Sequence, residues 1–182
     1  MAHRQQMEFV HSTLNLFFPG IVRGKDVLEV GSRNINGSPR QFFTECRYVG
    51  IDAAKGPGVD VVCLAHDFRL FRRPEDPHEF HVVLCCEVLE HDPHFRDTLQ
   101  MMAGRLLPGG LLIITAAGPA RPEHGTVRQK GAGDYGPDPE FYHNVTIWRL
   151  AEVLMPAAKW SKAHIEYSPD KRDVYFYGVK DR

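Results

Sequence analysis

The chain lacks any apolar run long enough to cross a membrane, so no membrane-spanning segment is expected. It is poor in cysteine: Cys46, Cys63, Cys85 and Cys86 all lie in apolar surroundings, and two of them are adjacent on an expected strand. That usage argues against a disulfide framework and fits free thiols in a reducing cytoplasm. The first residues hold one early arginine but no apolar core and no cleavage pattern, so no signal peptide is expected. Neither sign of charge is in excess. A formal net charge of -1 gives no strong nucleic-acid signature. Repeats and low-complexity tracts are absent too. What is there, 182 residues with 43% hydrophobic and 25% charged side chains, suits one soluble domain over residues 1–182 with a sizeable core. Histidine is plentiful, at ten residues. The nearest clusters, His91-Asp92-Pro93-His94 and the cysteine pair, have no recognised ligand spacing, so no metal site is expected.

The stretch that organises the chain is Asp26-Val27-Leu28-Glu29-Val30-Gly31-Ser32-Arg33-Asn34-Ile35-Asn36-Gly37-Ser38-Pro39. Val27, Leu28 and Val30 form a short apolar run bounded by turn residues, as in a strand buried in a parallel sheet. Gly31 ends it and lets a ligand approach the backbone. Ser38-Pro39 reads as a cap followed by a first-turn proline, predicting a helix there. A strand, a two-glycine turn and a helix start make a cradle for a nucleotide-like ligand. The carboxylate of Glu29, buried at the strand's end, needs a partner. A ligand ammonium would supply one, whereas the pyrophosphate of a dinucleotide would be repelled. The spacing also departs from G-x-G-x-x-G, which disfavours a nicotinamide-dinucleotide domain.

Other segments follow in order. Met7, Val10, Leu14 and Phe17 predict a helix over about 5–18, stopped by Pro19-Gly20. Phe42, Phe43 and Cys46 give an apolar face to the helix expected after Pro39. Tyr48 to Asp52 reads as a strand ending in an acid about twenty residues after the first turn, the spacing at which a carboxylate accepts ribose hydroxyls. Val59 to Leu64 is a third strand, and residues 69–79 a loop. Phe80 to Cys86 is a buried strand leading into Glu87-Val88-Leu89-Glu90-His91. Asp92-Pro93 should start a helix with Phe95, Leu99, Met102 and Leu106 on one face. Leu107-Pro108-Gly109-Gly110 turns into the strand Leu111 to Thr115. Residues 117–143 form a long polar loop, of a length that is usually functional or disordered. A helix from about Thr146 and two strands, 160–167 and 173–179, close the chain.

The E-V-G-S-R-N-I-N-G-S stretch resembles motif I of the class I S-adenosylmethionine-dependent methyltransferases, written (D/E)-x-G-x-G, with Arg33 where the second glycine usually falls. The L-E-H at Leu89 to His91 and the Leu107-to-Gly110 turn resemble later motifs of the same superfamily, in its small type 11-like branch. The resemblance implies an α/β Rossmann-like fold, with a seven-stranded, mostly parallel sheet, helices on both faces and an antiparallel last strand. It implies S-adenosylmethionine as cofactor and S-adenosylhomocysteine as product. By this likeness Glu29, Gly31, Ser32, Asn36 and Gly37 hold the methionine moiety, and Asp52 with Ala53 holds the ribose. Ala65, His66 and Asp67 flank the adenine, near Leu64, which stands where the family often has an acid. Cys86, Glu87 and His91 line the floor near the transferred methyl. In the family, residues 117–143 help to shape the acceptor site.

Candidates for a general base are His91 and His143, with His124 and Tyr135 further along the loop. His124, Arg128 and Lys130 could instead meet an anionic substrate. The chain lacks D-P-P-Y and N-P-P-Y, and its cysteine pair has no preceding proline. These absences favour an oxygen or nitrogen of a small molecule as acceptor over a nucleotide, RNA or protein side chain. A binding protein without turnover, alone or as a subunit of a heteromeric enzyme, is the alternative that Arg33 and Leu64 motivate. A monomer or homodimer is expected.

Overall fold

The computed structural model describes residues 3–71, 73–129 and 138–182. Lys130 and Tyr135 therefore lie outside the described residues. The first element is helix α1 (Arg4–Phe17), which buries Gln6, Val10, Thr13 and Leu14 on one stripe. Strands β1 (Val22–Arg23) and β2 (Asp26–Val30) follow. A four-residue 3-10 turn at Pro39–Phe42 leads into β3 (Phe43–Thr44) and β4 (Arg47–Asp52). Next come β5 (Val61–Val62), a 3-10 turn at Ala65–Asp67 and the short helix α2 (Phe68–Phe71). Beyond them lie β6 (Phe80–Cys86), a 3-10 turn at Leu89–His91, α3 (Phe95–Gly104) and β7 (Leu106–Ala117). The chain ends with α4 (Ile147–Ala157), β8 (Trp160–Tyr167) and β9 (Asp173–Lys180). No described helix is long and apolar enough to cross a membrane.

Seven strands form one sheet in the order β5-β4-β2-β6-β7-β9-β8, and β1 pairs with β3 in a small separate ribbon. β2 runs parallel to both β4 and β6. β9 is antiparallel to β7 and to β8. β2 and β6 are buried on both faces, which explains why each reads as a continuous apolar run. One apolar layer joins Leu28, Val30, Val83 and Ile114 to α3 and α4. The other joins Val27, Val82, Leu84 and Ile113 to Val10 and Leu14 of α1. Strand order reverses between β2 and β6, and a crevice at such a reversal, at the carboxyl ends of the strands, is where α/β sheets bind ligands.

Three local expectations are corrected. The helix after Ser38-Pro39 is only the 3-10 turn. The cap forms as read, with Arg40 N donating to Ser38 Oγ at 3.1 Å, but Phe43 and Thr44 are taken by pairing with β1 and β4 begins at Arg47. That spacing leaves no room for further turns. The third strand shrinks to Val61–Val62 because Asp60 uses its side chain on the neighbouring strand, accepting from Gly50 N at 2.7 Å. α3 begins at Phe95 instead of Pro93. Asp92 still serves its start, accepting from His94 N at 2.8 Å and from Thr98 Oγ1 at 2.6 Å. Of the two caps the sequence offers for α4, Asn144 and Thr146, it is Thr146 that serves, accepting from Arg149 N at 3.2 Å.

Candidate active site

Glu29 sits one residue before the end of β2 and is 3% exposed. Its carboxylate accepts from Tyr48 OH at 2.8 Å and from Ser38 Oγ at 3.3 Å. Burial raises its pKa to about 7, against the lowering influence of those bonds and of Arg40. Gly31 follows with φ +77, and a Cβ there would lie 2.1 Å from Val88 Cγ2, so the turn needs glycine for both conformation and space. Gly31 N and Ser32 N both donate to Ile51 O, at 2.8 and 3.0 Å. Arg33 lays its side chain against Gly56, where a Cβ would come within 2.8 Å of Arg33 Nε. Gly37 N donates to Asn34 Oδ1 at 2.9 Å and closes the loop.

Asp52 ends β4 beside this loop. Its carboxylate accepts from Arg33 N at 3.2 Å and from Ala54 N at 2.9 Å, so it ties the first turn to the second and fixes its own orientation. Ala53, half-buried, turns the chain beneath it. Across the crevice, Ala65, His66 and Asp67 form a 3-10 turn. His66 packs on His94 with ring centroids 4.4 Å apart, and its Nε2 lies 3.7 Å from Asp67. Leu64, where an acid is common, is a partly exposed hydrophobe.

The floor is the segment after β6. Cys86 is buried, and burial pushes its thiol up to about 12, so it stays protonated and is no nucleophile at neutral pH. Glu87 adopts φ +56, a left-handed conformation rare for a side chain of this size and concentrated at functional sites. Its carboxylate is buried, accepts from Gln6 Nε2 of α1 and lies 3.9 Å from Arg121 Nη1. Arg121 also pairs with Asp173, which accepts from Tyr175 OH at 3.1 Å and has His3 Nε2 at the same distance. α1, β9 and the 118–129 loop thus converge on one charged network. A cleft of about 560 Å³ opens beside it, lined by His3, Asn36, Gly37, Glu87, Arg121 and His124 among others.

His91 lies under the loop, edge-on to His124 at 5.1 Å and to Tyr142 at 5.4 Å. Burial, with help from His124, lowers its pKa to about 4, so the ring is neutral at neutral pH and its lone pair is available. His143 is placed differently. Its ring packs against Phe95 and Phe141 at 5.1 and 5.2 Å, neither nitrogen makes a hydrogen bond among the described residues, and burial lowers it to about 4. Its backbone N donates to Glu90 O at 2.9 Å, and, like His91, it is not among the residues that line the cleft. Arg128 is engaged by Glu123 at 2.7 Å, at the surface.

The structure brings Glu29, Gly31, Ser32, Asn36, Gly37, Asp52, Glu87 and His91 to the carboxyl edge of the sheet. It adds His3, Gln6, Glu90, Arg121 and Asp173, which sequence reasoning passed over. Gln6 carried a signal, as a polar side chain on the apolar stripe of α1. Asp173 and Arg121, far apart in sequence, carried none. The residues fit S-adenosylmethionine: a buried carboxyl group whose pKa burial raises can meet a ligand cation, and next to it lies a glycine turn that a Cβ would fill.

The chain matches the model of a family described as a methyltransferase domain over residues 1–154. No curated protein matches it by sequence. Solved structures share the fold. The 1,6-didemethyltoxoflavin-N1-methyltransferase of Burkholderia thailandensis, with bound 1,6-didemethyltoxoflavin and S-adenosylhomocysteine, superposes with a TM-score of 0.62 at 17% identity, over 97% of this chain and 78% of that one. The N-methyltransferase NodS of Bradyrhizobium japonicum gives 0.60 at 16%, over 98% and 96%. A putative methyltransferase of Bacillus halodurans gives 0.63 at 11%, over 98% and 100%. With the family model covering most of its length, this chain belongs to the methyltransferase-domain family.

Proposed function

We propose that this protein moves a methyl group from S-adenosylmethionine to an oxygen or nitrogen of a small molecule held in the cleft above Glu87. The observation that carries this reading is the placement of that cleft. Asn36 and Gly37 of the first turn form one wall, and Glu87, Arg121 and His124 form the other. When bound, the cofactor supplies an electrophilic methyl on a sulfonium. Glu29 faces its ammonium, Asp52 its ribose hydroxyls, and Ala65 to Asp67 its adenine. His91, neutral, takes the proton of an acceptor hydroxyl or amine. Methyl transfer asks little covalent help of the protein, so positioning and exclusion of water by α1 and the 118–129 loop do most of the work. Small-molecule acceptors are named for the Burkholderia protein, which supports the same class here.

The side chain of Arg33 lies against Gly56, which supports cofactor binding at the first turn by an enzyme and by a binding protein alike. We place the protein in the cytoplasm, in keeping with its four free thiols, and read residues 1–182 as one domain. Calorimetric titration with S-adenosylhomocysteine tests the reading. Wild type binds, and Asp52→Ala loses about 1–3 kcal/mol. A folded protein that does not bind would overturn it. Turnover on a panel of hydroxyl and amine acceptors then separates an enzyme from a binding module.

A further inference from the structure

Glu90 is fully buried, and neither of its carboxylate oxygens makes a hydrogen bond among the described residues. The backbone N–H groups of Glu90 itself and of Ala117 offset part of its desolvation, yet neither completes a bond. Burial, the larger influence, pushes the Glu90 carboxyl well above the usual carboxylate range, so an ion bound there would displace a proton. Facing it is His124, whose Nε2 is also buried and unpartnered, 3.8 Å from Glu90 Oε1 and 3.7 Å from Glu87 Oε2. His124 Nδ1 lies 3.2 Å from Pro122 O. A carbonyl only accepts, so Nδ1 carries the proton and the neutral ring turns the lone pair of Nε2 toward two carboxylates. Across nearly 4 Å these atoms are too far apart for a hydrogen bond, and lone pairs aimed at one another repel unless a proton or a metal cation lies between them. His91 completes the group: donor atoms of Glu90, His91 and His124 all fall within 4.8 Å of one another.

The geometry points to a divalent metal site made by Glu90, His91 and His124, open toward the cleft, that takes a first-row transition ion of the zinc type and presents it to an oxygen of the acceptor. One carboxylate and two imidazoles suit such ions and leave coordination positions free for substrate. The backbone carbonyl on His124 Nδ1 is the outer partner that holds a ligating imidazole in its tautomer. Neighbouring ligands on a tetrahedral ion stand roughly 3.4 Å apart, so the His124–Glu90 gap needs only a small side-chain rotation to close. Magnesium, which prefers oxygen donors, should bind poorly. The role toward the acceptor rests on the methyl-transfer reading above and narrows it to a hydroxyl, whose proton a bound ion makes easier to remove, with His91 then holding the ion in place of taking that proton itself. The ion site itself does not depend on that reading.

The test is calorimetric titration of chelator-treated full-length protein with Zn²⁺, Co²⁺ and Mg²⁺, followed by the visible spectrum of the cobalt form. One Zn²⁺ or Co²⁺ per chain is expected, with cobalt absorption typical of mixed nitrogen–oxygen ligation. His124→Ala and Glu90→Gln should each bind at least about 100-fold more weakly. His124 is partly exposed, so its variant should fold. Glu90→Gln keeps the size of the buried carboxyl group and removes an oxygen that can ligate. No stoichiometric binding by wild type overturns the site, and so does binding that both variants retain. The same samples are titrated with S-adenosylhomocysteine. Ion binding without cofactor binding leaves the site standing and removes its role in methyl transfer. Cofactor binding without ion binding does the reverse.

Discussion

At the scale of the residue, Glu29 carries the clearest trade-off. Its folded pKa is about 7 because burial outweighs the help it receives from Tyr48, Ser38 and Arg40, and Asp52 adds a smaller push upward. A carboxyl group raised above its unfolded value makes the folded protein bind more protons than the unfolded one. Its contribution to stability is therefore full below about pH 4.5 and is lost as pH rises through 7. A shift of this size corresponds to about 3 kcal/mol. The free protein should lose stability across that window in urea titrations, and Glu29→Gln should flatten the loss and be the more stable protein at pH 8. The same substitution should abolish cofactor binding, because the ammonium loses its counter-charge. In wild type, affinity for S-adenosylhomocysteine should rise up to tenfold per pH unit below 7 and level off above it, with proton release on binding near pH 6.5. A flat affinity from pH 5.5 to 8 would show that Glu29 does not meet the ammonium.

At the scale of the element, α1 is the one α-helix among the described residues that joins the second apolar layer. Its Phe9 ring stacks on Tyr175 at 4.5 Å, and Gln6, fully buried, reaches Glu87 and Asp173. The helix therefore both covers the sheet and braces the floor of the cleft. Gln6→Leu keeps the apolar contact and removes a donor from two buried carboxylates. Its expected cost is about 1–3 kcal/mol in the urea midpoint, with unchanged far-ultraviolet circular dichroism. A neutral result would show that Glu87 is satisfied without α1. The register of α1 was legible from Val10 and Leu14, and the hairpin β8–β9 from its aromatic and β-branched runs. The helix after Pro39 was misread because a start signal is local, whereas helix length is set by where the next strand must begin. The gathering of Glu90 with His124 had no trace in the sequence, since the loop that brings His124 over the sheet follows tertiary packing and no periodic pattern.

At the scale of the whole molecule, the site exists because the strand order reverses between the paired strands β2 and β6, so the chain leaves their carboxyl ends in opposite directions. The end of each strand supplies one side of the crevice: Gly31 and its turn from β2, Cys86 to His91 from β6. The halves touch where Gly31 meets Val88, at the 2.1 Å that a Cβ would leave to Val88 Cγ2. Gly31→Ala should therefore carry two separable costs. One is the left-handed backbone at φ +77, worth about 1–2 kcal/mol for a residue with a Cβ. The other is overpacking against Val88, worth about 1–3 kcal/mol. Val88→Ala removes the atom that clashes and leaves the backbone strain untouched. In a double-mutant cycle followed by thermal unfolding, the second substitution should rescue the steric part, giving a favourable coupling of about 1 kcal/mol or more. Cofactor affinity should recover along with it, because both strand ends return to their spacing. Strict additivity would mean that the two halves are held apart by other contacts and that Gly31 is needed for its conformation alone.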